Sequence, residues 1–381
     1  MDVMRAAAAA PRGAKPRICF VAPAIYPVLS GDRRIESVGG AEVQQTILAR
    51  TLQQAGYQVS VVTMDYGQPA VVDLDGIQVY RAHSPHGGLP VLRYLHPRIT
   101  SIWRAMQLAD ADIYYQRASG MLAGLIAHFC ARYRRKFVFA AASDADFFPD
   151  LPLIHYSRDK WLYRRGLRRA DAVVVQNPVQ QQACRERFGR AATIVPSCHA
   201  PQPAPRAGLA GYVLWAGTIK ALKRPELFLE LARRLPQYRF VAVGGGDAAL
   251  LQRLREQSAG LANLEWVGFV PYSAVDPYFD GARLLLNTSV IEGFPNTFLQ
   301  AWARGVPSIS FFDNGSRHQD QPVTRTVADL DAMAAAVAQW MGDDLSWQGA
   351  SARVRDYFEA SHTPAVALRA YQQVFAALDG E

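Results

Sequence analysis

Glu292 and Gln300 stand eight positions apart (300 − 292) and flank Gly293-Phe294-Pro295-Asn296-Thr297, the stretch whose chemistry is easiest to state. The sequence predicts an apolar strand ending over Leu284–Asn287, a turn over 292–296 and a short helix over Thr297–Arg304. Gly305 stops that helix, and a new strand starts at Ser308 after Pro307. Pro295 and Asn296 suit a helix start, through a preset φ and a capping side-chain oxygen. A turn of this kind leaves backbone N–H groups unpaired at the strand end, which makes a ready anion site. Glu292 on the turn and Gln300 one turn into the helix can both reach the space beside that anion, as acceptors for hydroxyls. Hydroxyls beside phosphate suggest a sugar nucleotide. An ordinary strand–helix turn with solvated Glu292 and Gln300 would carry the same pattern.

Other reactive residues fall at other expected strand ends. Lys220 and Lys223 follow the strand Tyr212–Ala216 across Gly217 and Thr218. Gly244-Gly245-Gly246 closes the strand Arg239–Val243, and Phe269 and Val270 follow Leu264–Val267. Cations and N–H groups suit a pyrophosphate, and Phe269 with Val270 offers an apolar slot for a base. Breaking a sugar–phosphate bond requires a stabilised leaving pyrophosphate. Lys220, Lys223 and the helix start supply positive potential for it without a metal. In the first half, Ser143-Asp144-Ala145-Asp146 follows the strand Phe137–Ala141. Asp144 and Asp146 can orient acceptor hydroxyls or act as a base, and they can equally cap the next helix. Gly39-Gly40-Ala41-Glu42 opens a helix and reads either as a close approach to phosphate or sugar, or as a tight turn with no ligand. It is not G-x-G-x-x-G, and the loop before it is long, which argues against a nicotinamide-dependent dehydrogenase.

The elements that must position these residues alternate strand and helix along 381 residues, enough for two domains. The expected class is α/β, with two doubly wound, Rossmann-like parallel-sheet domains facing across a cleft. The expected divisions are a disordered leader over 1–16, an acceptor-side domain over 17–200 and a Pro/Ala/Gly-rich linker over 201–211. A nucleotide-sugar-binding domain follows over 212–364, and a last helix, about 365–381, crosses back to the first domain. The net charge of +8 favours partners that carry negative charge. Basic residues at 132–136 and 158–169, the latter interleaved with Trp161, Leu162, Tyr163 and Leu167, offer a surface for an anionic membrane or form a solvated helix face. With no recognised nucleic-acid module, nucleic acid is not an expected partner. The 4 cysteines form no C-x-x-C pair, which fits free thiols in a reducing cytoplasm. The histidines show no H-E-x-x-H, so neither a metal nor a cofactor is expected. No stretch reaches the roughly 20 apolar residues of a membrane span, so any membrane role is peripheral.

After the leader, nearly the whole chain resembles family 4 retaining glycosyltransferases of the GT-B fold. The residues that carry the resemblance are Gly39-Gly40-Ala41-Glu42, Trp215-Ala216-Gly217, Lys223-Arg224-Pro225, Val243-Gly244-Gly245 and the run Glu292 to Ala301, the most specific of the set. The resemblance implies a metal-independent transfer of a hexose from a UDP- or GDP-sugar to a glycan or lipid-linked acceptor, with retention, in cell-surface polysaccharide synthesis. It puts Glu292 beside the donor sugar, Gln300 at the ribose hydroxyls, the backbone of Gly293–Thr297 on sugar and phosphates, and Lys223 on the pyrophosphate. The Gly39-Gly40 loop closes from the other domain. Three residues depart from the family. Gln300 replaces a glutamate, Thr218 an arginine, and Ser143 a histidine before an aspartate, so Ser143 or Asp144 would have to position the acceptor. A nucleotide-sugar epimerase or hydrolase on the same fold, and a donor-binding protein without turnover, are the alternatives.

Overall fold

The structure is a computed structural model that describes residues 15–32, 39–85, 87, 95–203, 211–290 and 292–379. The leader up to residue 14 and positions 204–210 of the linker lie outside the described residues, as does the first part of the helix expected over 89–108.

Strands with apolar residues on both faces must be covered on both faces, which is the condition for parallel sheets. The first sheet contains β1 (Ile18–Val21), β2 (Val59–Thr63), β3 (Val71–Leu74), β4 (Ile77–Arg81), β5 (Ile113–Arg117), β6 (Lys136–Ala140), β7 (Ala172–Val175) and β8 (Thr193–Ile194). Their spatial order is β3-β4-β2-β1-β5-β6-β7-β8, parallel throughout except for the β3–β4 hairpin. The second domain supplies β9 (Tyr212–Ala216), β10 (Phe240–Val243), β11 (Leu264–Gly268), β12 (Ala282–Asn287), β13 (Ser308–Ser310), β14 (Arg317–His318), β15 (Gln321–Pro322) and β16 (Arg325–Thr326). Its parallel sheet runs β11-β10-β9-β12-β13-β16, and β14 and β15 pair separately.

Each sheet is the middle of three layers. On β1, Cys19 and Val21 face one core of the first domain, while Ile18 and Phe20 face the other. On β9, Val213 and Trp215 pack one way and Leu214 the other. This is the GT-B arrangement of two doubly wound domains. The last helix, Pro364–Asp379, packs on the first domain: Tyr371, Val374, Phe375 and Leu378 enter its core, and the Tyr371 hydroxyl lies 3.0 Å from that of Tyr115. The helix Asp344–Ser361 before it is separate, because the chain breaks at His362-Thr363 ahead of Pro364. All four cysteines are buried free thiols.

Candidate active site

The carboxyl ends of both parallel sheets collect the loops that the sequence singles out, and in open α/β sheets ligands bind there. β12 lies beside β9 in the sheet order, so the loops after these two strands meet. Thr288 joins them: its Oγ donates to Lys223 O (2.6 Å) and accepts from Trp215 Nε1 (2.9 Å). Arg224, in the left-handed region at φ 46°, donates from Nε to Thr288 O at 2.8 Å and lies over the Phe311 ring.

This stitching brings Lys223 Nζ onto Glu292 Oε1. The same carboxylate oxygen accepts from Ser289 Oγ (2.6 Å) and Asn287 Nδ2 (3.3 Å). Glu292 and Lys223 keep 12% and 20% side-chain exposure, so the pair is held firmly yet open to a ligand. Lys220 and Thr218 are exposed, and Lys220 makes no side-chain bond among the described residues. The N–H groups of Gly293, Phe294, Asn296 and Thr297 likewise have no partner among the described residues. Gly244 must be glycine: a Cβ would overlap the Gly217 carbonyl oxygen, and the backbone sits at φ 153°. Gly245 lies under Phe269, whose Cβ would be 2.8 Å from a Gly245 methyl. Val270 is half-buried beside it.

Gln300 is 5% exposed, and its Nε2 is buried without a hydrogen-bond partner. The helix carrying it, Asn296–Trp302, starts one residue earlier than the sequence suggests, behind Pro295. The side chain of Asn296 does not cap it. It crosses the cleft instead, donating from Nδ2 to Gly40 O (2.8 Å) and accepting at Oδ1 from Gln44 Nε2 (3.1 Å). Gly39 precedes the helix Gly40–Gln54, and the Glu42 carboxylate folds back over it. Gly293 also abuts the first domain. A Cβ there would stand 2.7 Å from Ala142 O and 3.1 Å from Ser143 Cα.

On the first domain the two aspartates separate. Asp146 does not face the cleft, which corrects the expectation of a substrate-facing group; it takes the alternative role, capping the short helix Asp144–Phe147. It is 0% exposed, and its carboxylate accepts from the N–H groups of Ala142 (2.7 Å), Ser143 (3.1 Å) and Ser119 (3.3 Å). Burial raises its pKa from the usual carboxylate value, and those N–H groups pull it back. Ser143 Oγ also caps the short helix Asp144–Phe147 by accepting from Ala145 N. Asp144 stays partly open. Its Oδ1 accepts from Gln180 Nε2 at 2.8 Å, and Gln180 Oε1 accepts from the Gln176 N–H at 2.8 Å. Gln180, 1% exposed, fixes the Asp144 carboxylate, a contact that sequence reasoning missed. Only its place in the polar run Gln180-Gln181-Gln182 hinted at it. Thr288, Ser289 and Asn287 were missed too, although they directly precede the Glu292 turn. No group of three or more His, Cys, Asp or Glu suited to a metal ion occurs among the described residues.

A family model described as Glycosyltransferase Family 4 matches residues 38–199, and one described as Glycosyl transferases group 1 matches residues 210–343. The chain is 30% identical over 152 residues to the lipopolysaccharide 1,6-galactosyltransferase of Salmonella typhimurium, covering 38% of each chain. It is 30% identical over 90 residues to the alpha-monoglucosyldiacylglycerol synthase of Acholeplasma laidlawii, covering 23% of each. The matched segments thus span well under half of those relatives. Among solved structures, the sucrose-phosphate synthase of Thermosynechococcus elongatus superposes with a TM-score of 0.76 at 18% identity, over 95% of this chain and 100% of that one.

Proposed function

The chain is a GT-B glycosyltransferase of the family 4 and group 1 type, and from that premise we propose that it moves a hexose, with retention, from a UDP- or GDP-sugar to a glycan or lipid-linked acceptor. The observation that carries this reading is the Lys223–Glu292 pair of the second domain, next to Gly293, whose backbone abuts Ala142 and Ser143 of the first. In it, Lys223 and Lys220 hold the pyrophosphate with the free N–H groups of 293–297, and Glu292 takes the donor sugar hydroxyls. Binding donor displaces part of the Lys223–Glu292 contact, so the lysine charge becomes available as the sugar–phosphate bond breaks. Phe269 and Val270 flank the base, and Gln300 takes the ribose hydroxyls. Asp144, steadied by Gln180, orients the acceptor hydroxyl. The positive potential comes from lysines, so chelator leaves turnover intact. Cell-surface polysaccharide synthesis, on the inner face of the plasma membrane, is the proposed setting.

The test has two stages. UDP and GDP are compared for their shift of the melting temperature. The matching nucleotide sugars are then supplied with glycan and lipid-linked acceptors, and released diphosphate is measured. Folded protein that releases none across the panel overturns transfer. A donor-binding protein without turnover is the competing reading, favoured by Gln300, Thr218 and Ser143. It requires a melting shift with no release.

A further inference from the structure

Away from the cleft, the helix Ser157–Arg169 buries Tyr163, Gly166 and Leu167 against the first domain. It lies backbone to backbone on the helix Leu122–Tyr133, because Gly166 and Gly124 meet at the crossing, where a Cβ on Gly124 would stand 2.6 Å from Leu162 O. That tight seat turns the rest of the helix outward. Trp161 is 58% exposed, and the Arg165 guanidinium lies 5.5 Å from its ring centre. Trp161, Arg164, Arg165, Arg168 and Arg169 line a groove of about 210 Å³. No acidic side chain lines it, and none of its four arginines is in an ion pair among the described residues. Just ahead of the helix, Leu153 and Tyr156 are 57% and 68% exposed.

We propose that this face docks the protein on an anionic membrane, with the arginine groove taking a lipid phosphate headgroup and Trp161, Tyr156 and Leu153 entering the interfacial layer. Arginines held in no ion pair offer bidentate donors to phosphate oxygens. Aromatic residues with a polar edge settle at the headgroup level. The groove is smaller than pockets that enclose a drug-sized ligand, which fits a headgroup better than a whole small molecule. The docking face also leads directly to the acceptor side of the cleft. Leu153 and Tyr156 lie on the segment that joins Ser143–Asp144, at the carboxyl end of β6, to this helix. A lipid-linked acceptor would therefore arrive beside Asp144. The inference rests on the membrane-facing part of the proposed function and not on the transfer chemistry.

The experiment co-sediments the full chain with phosphatidylcholine vesicles, with and without phosphatidylglycerol. Binding only to the anionic vesicles, released by salt, is expected. The triple variant R165E/R168E/R169E should lose at least about 100-fold in partitioning, since about five-fold per basic side chain is lost before the repulsion of each added carboxylate. Arg164 is left intact because it donates to Pro149 O. Trp161→Ser should weaken binding about tenfold while sedimentation stays salt-sensitive. Melting temperature and donor turnover with a soluble acceptor should stay at wild-type values in both variants, which separates lost docking from lost folding or lost catalysis. Equal sedimentation with neutral vesicles overturns the proposal, as does undiminished binding by the triple variant. Release of the vesicles by millimolar inorganic phosphate at constant ionic strength would assign the groove to a free anion. Tighter binding to single-stranded RNA than to vesicles would assign it to nucleic acid.

Discussion

Lys223→Ala separates the roles of the central pair. Lys223 bonds to Glu292, but Glu292 keeps Ser289 and Asn287 as donors when the lysine is gone. The pair is also partly open, at 20% and 12% side-chain exposure, so solvent compensates some of the loss. The folding cost should therefore be about 1–2 kcal/mol. Against a leaving pyrophosphate the same charge acts as a preorganised group, and removing such a group costs about 100- to 1000-fold in rate, or roughly 3–4 kcal/mol. The assay is initial-rate release of the nucleoside diphosphate, beside a thermal melt of the same samples. Glu292→Gln supplies the decisive background. If Lys223 acts on the pyrophosphate, Lys223→Ala still costs at least tenfold when Glu292 is already neutral. If its whole task is to hold Glu292, the second substitution is silent. A silent second substitution, or a single variant within twofold of wild-type turnover, refutes the donor-site reasoning.

Two further outcomes are expected. Gly293→Ala puts a methyl 2.7 Å from Ala142 O, so the domains cannot approach as closely. Turnover should fall at least tenfold while the nucleotide still raises the melting temperature, and unchanged turnover would show that the contact is not needed. His362 bonds Ser197 O at 2.7 Å, lies 4.9 Å from the Phe294 ring, and is pushed by burial from 6.5 down to about 4. Between those two pH values the unfolded chain holds a proton that the folded chain does not. The stability is therefore complete above pH 6.5 and is lost as pH falls towards 4, by up to about 3 kcal/mol. His362→Leu should flatten that part of the denaturant-derived stability profile.

The sequence by itself determined the alternation of buried strands and helices, because strands covered on both faces read as continuous apolar runs such as Phe137–Ala141. It also marked the strand ends, since turns there require glycine, proline and short polar residues whose chemistry is local. The Glu292–Asn296 turn, Lys220 and Lys223, and the glycine triplet were legible for that reason. Tertiary structure alone decided which strand ends become neighbours. Lys223 reaches Glu292 because β9 and β12 are adjacent in the sheet, and Asn296 reaches Gly40 because the two domains face each other. It also decided the direction of each side chain on an irregular turn. Asp144 and Asp146 are two residues apart and equivalent by composition, yet three backbone N–H groups capture Asp146 in the core and leave Asp144 to Gln180 and the cleft. Such outcomes depend on where unpaired donors from distant segments converge, and no local pattern of residues records that.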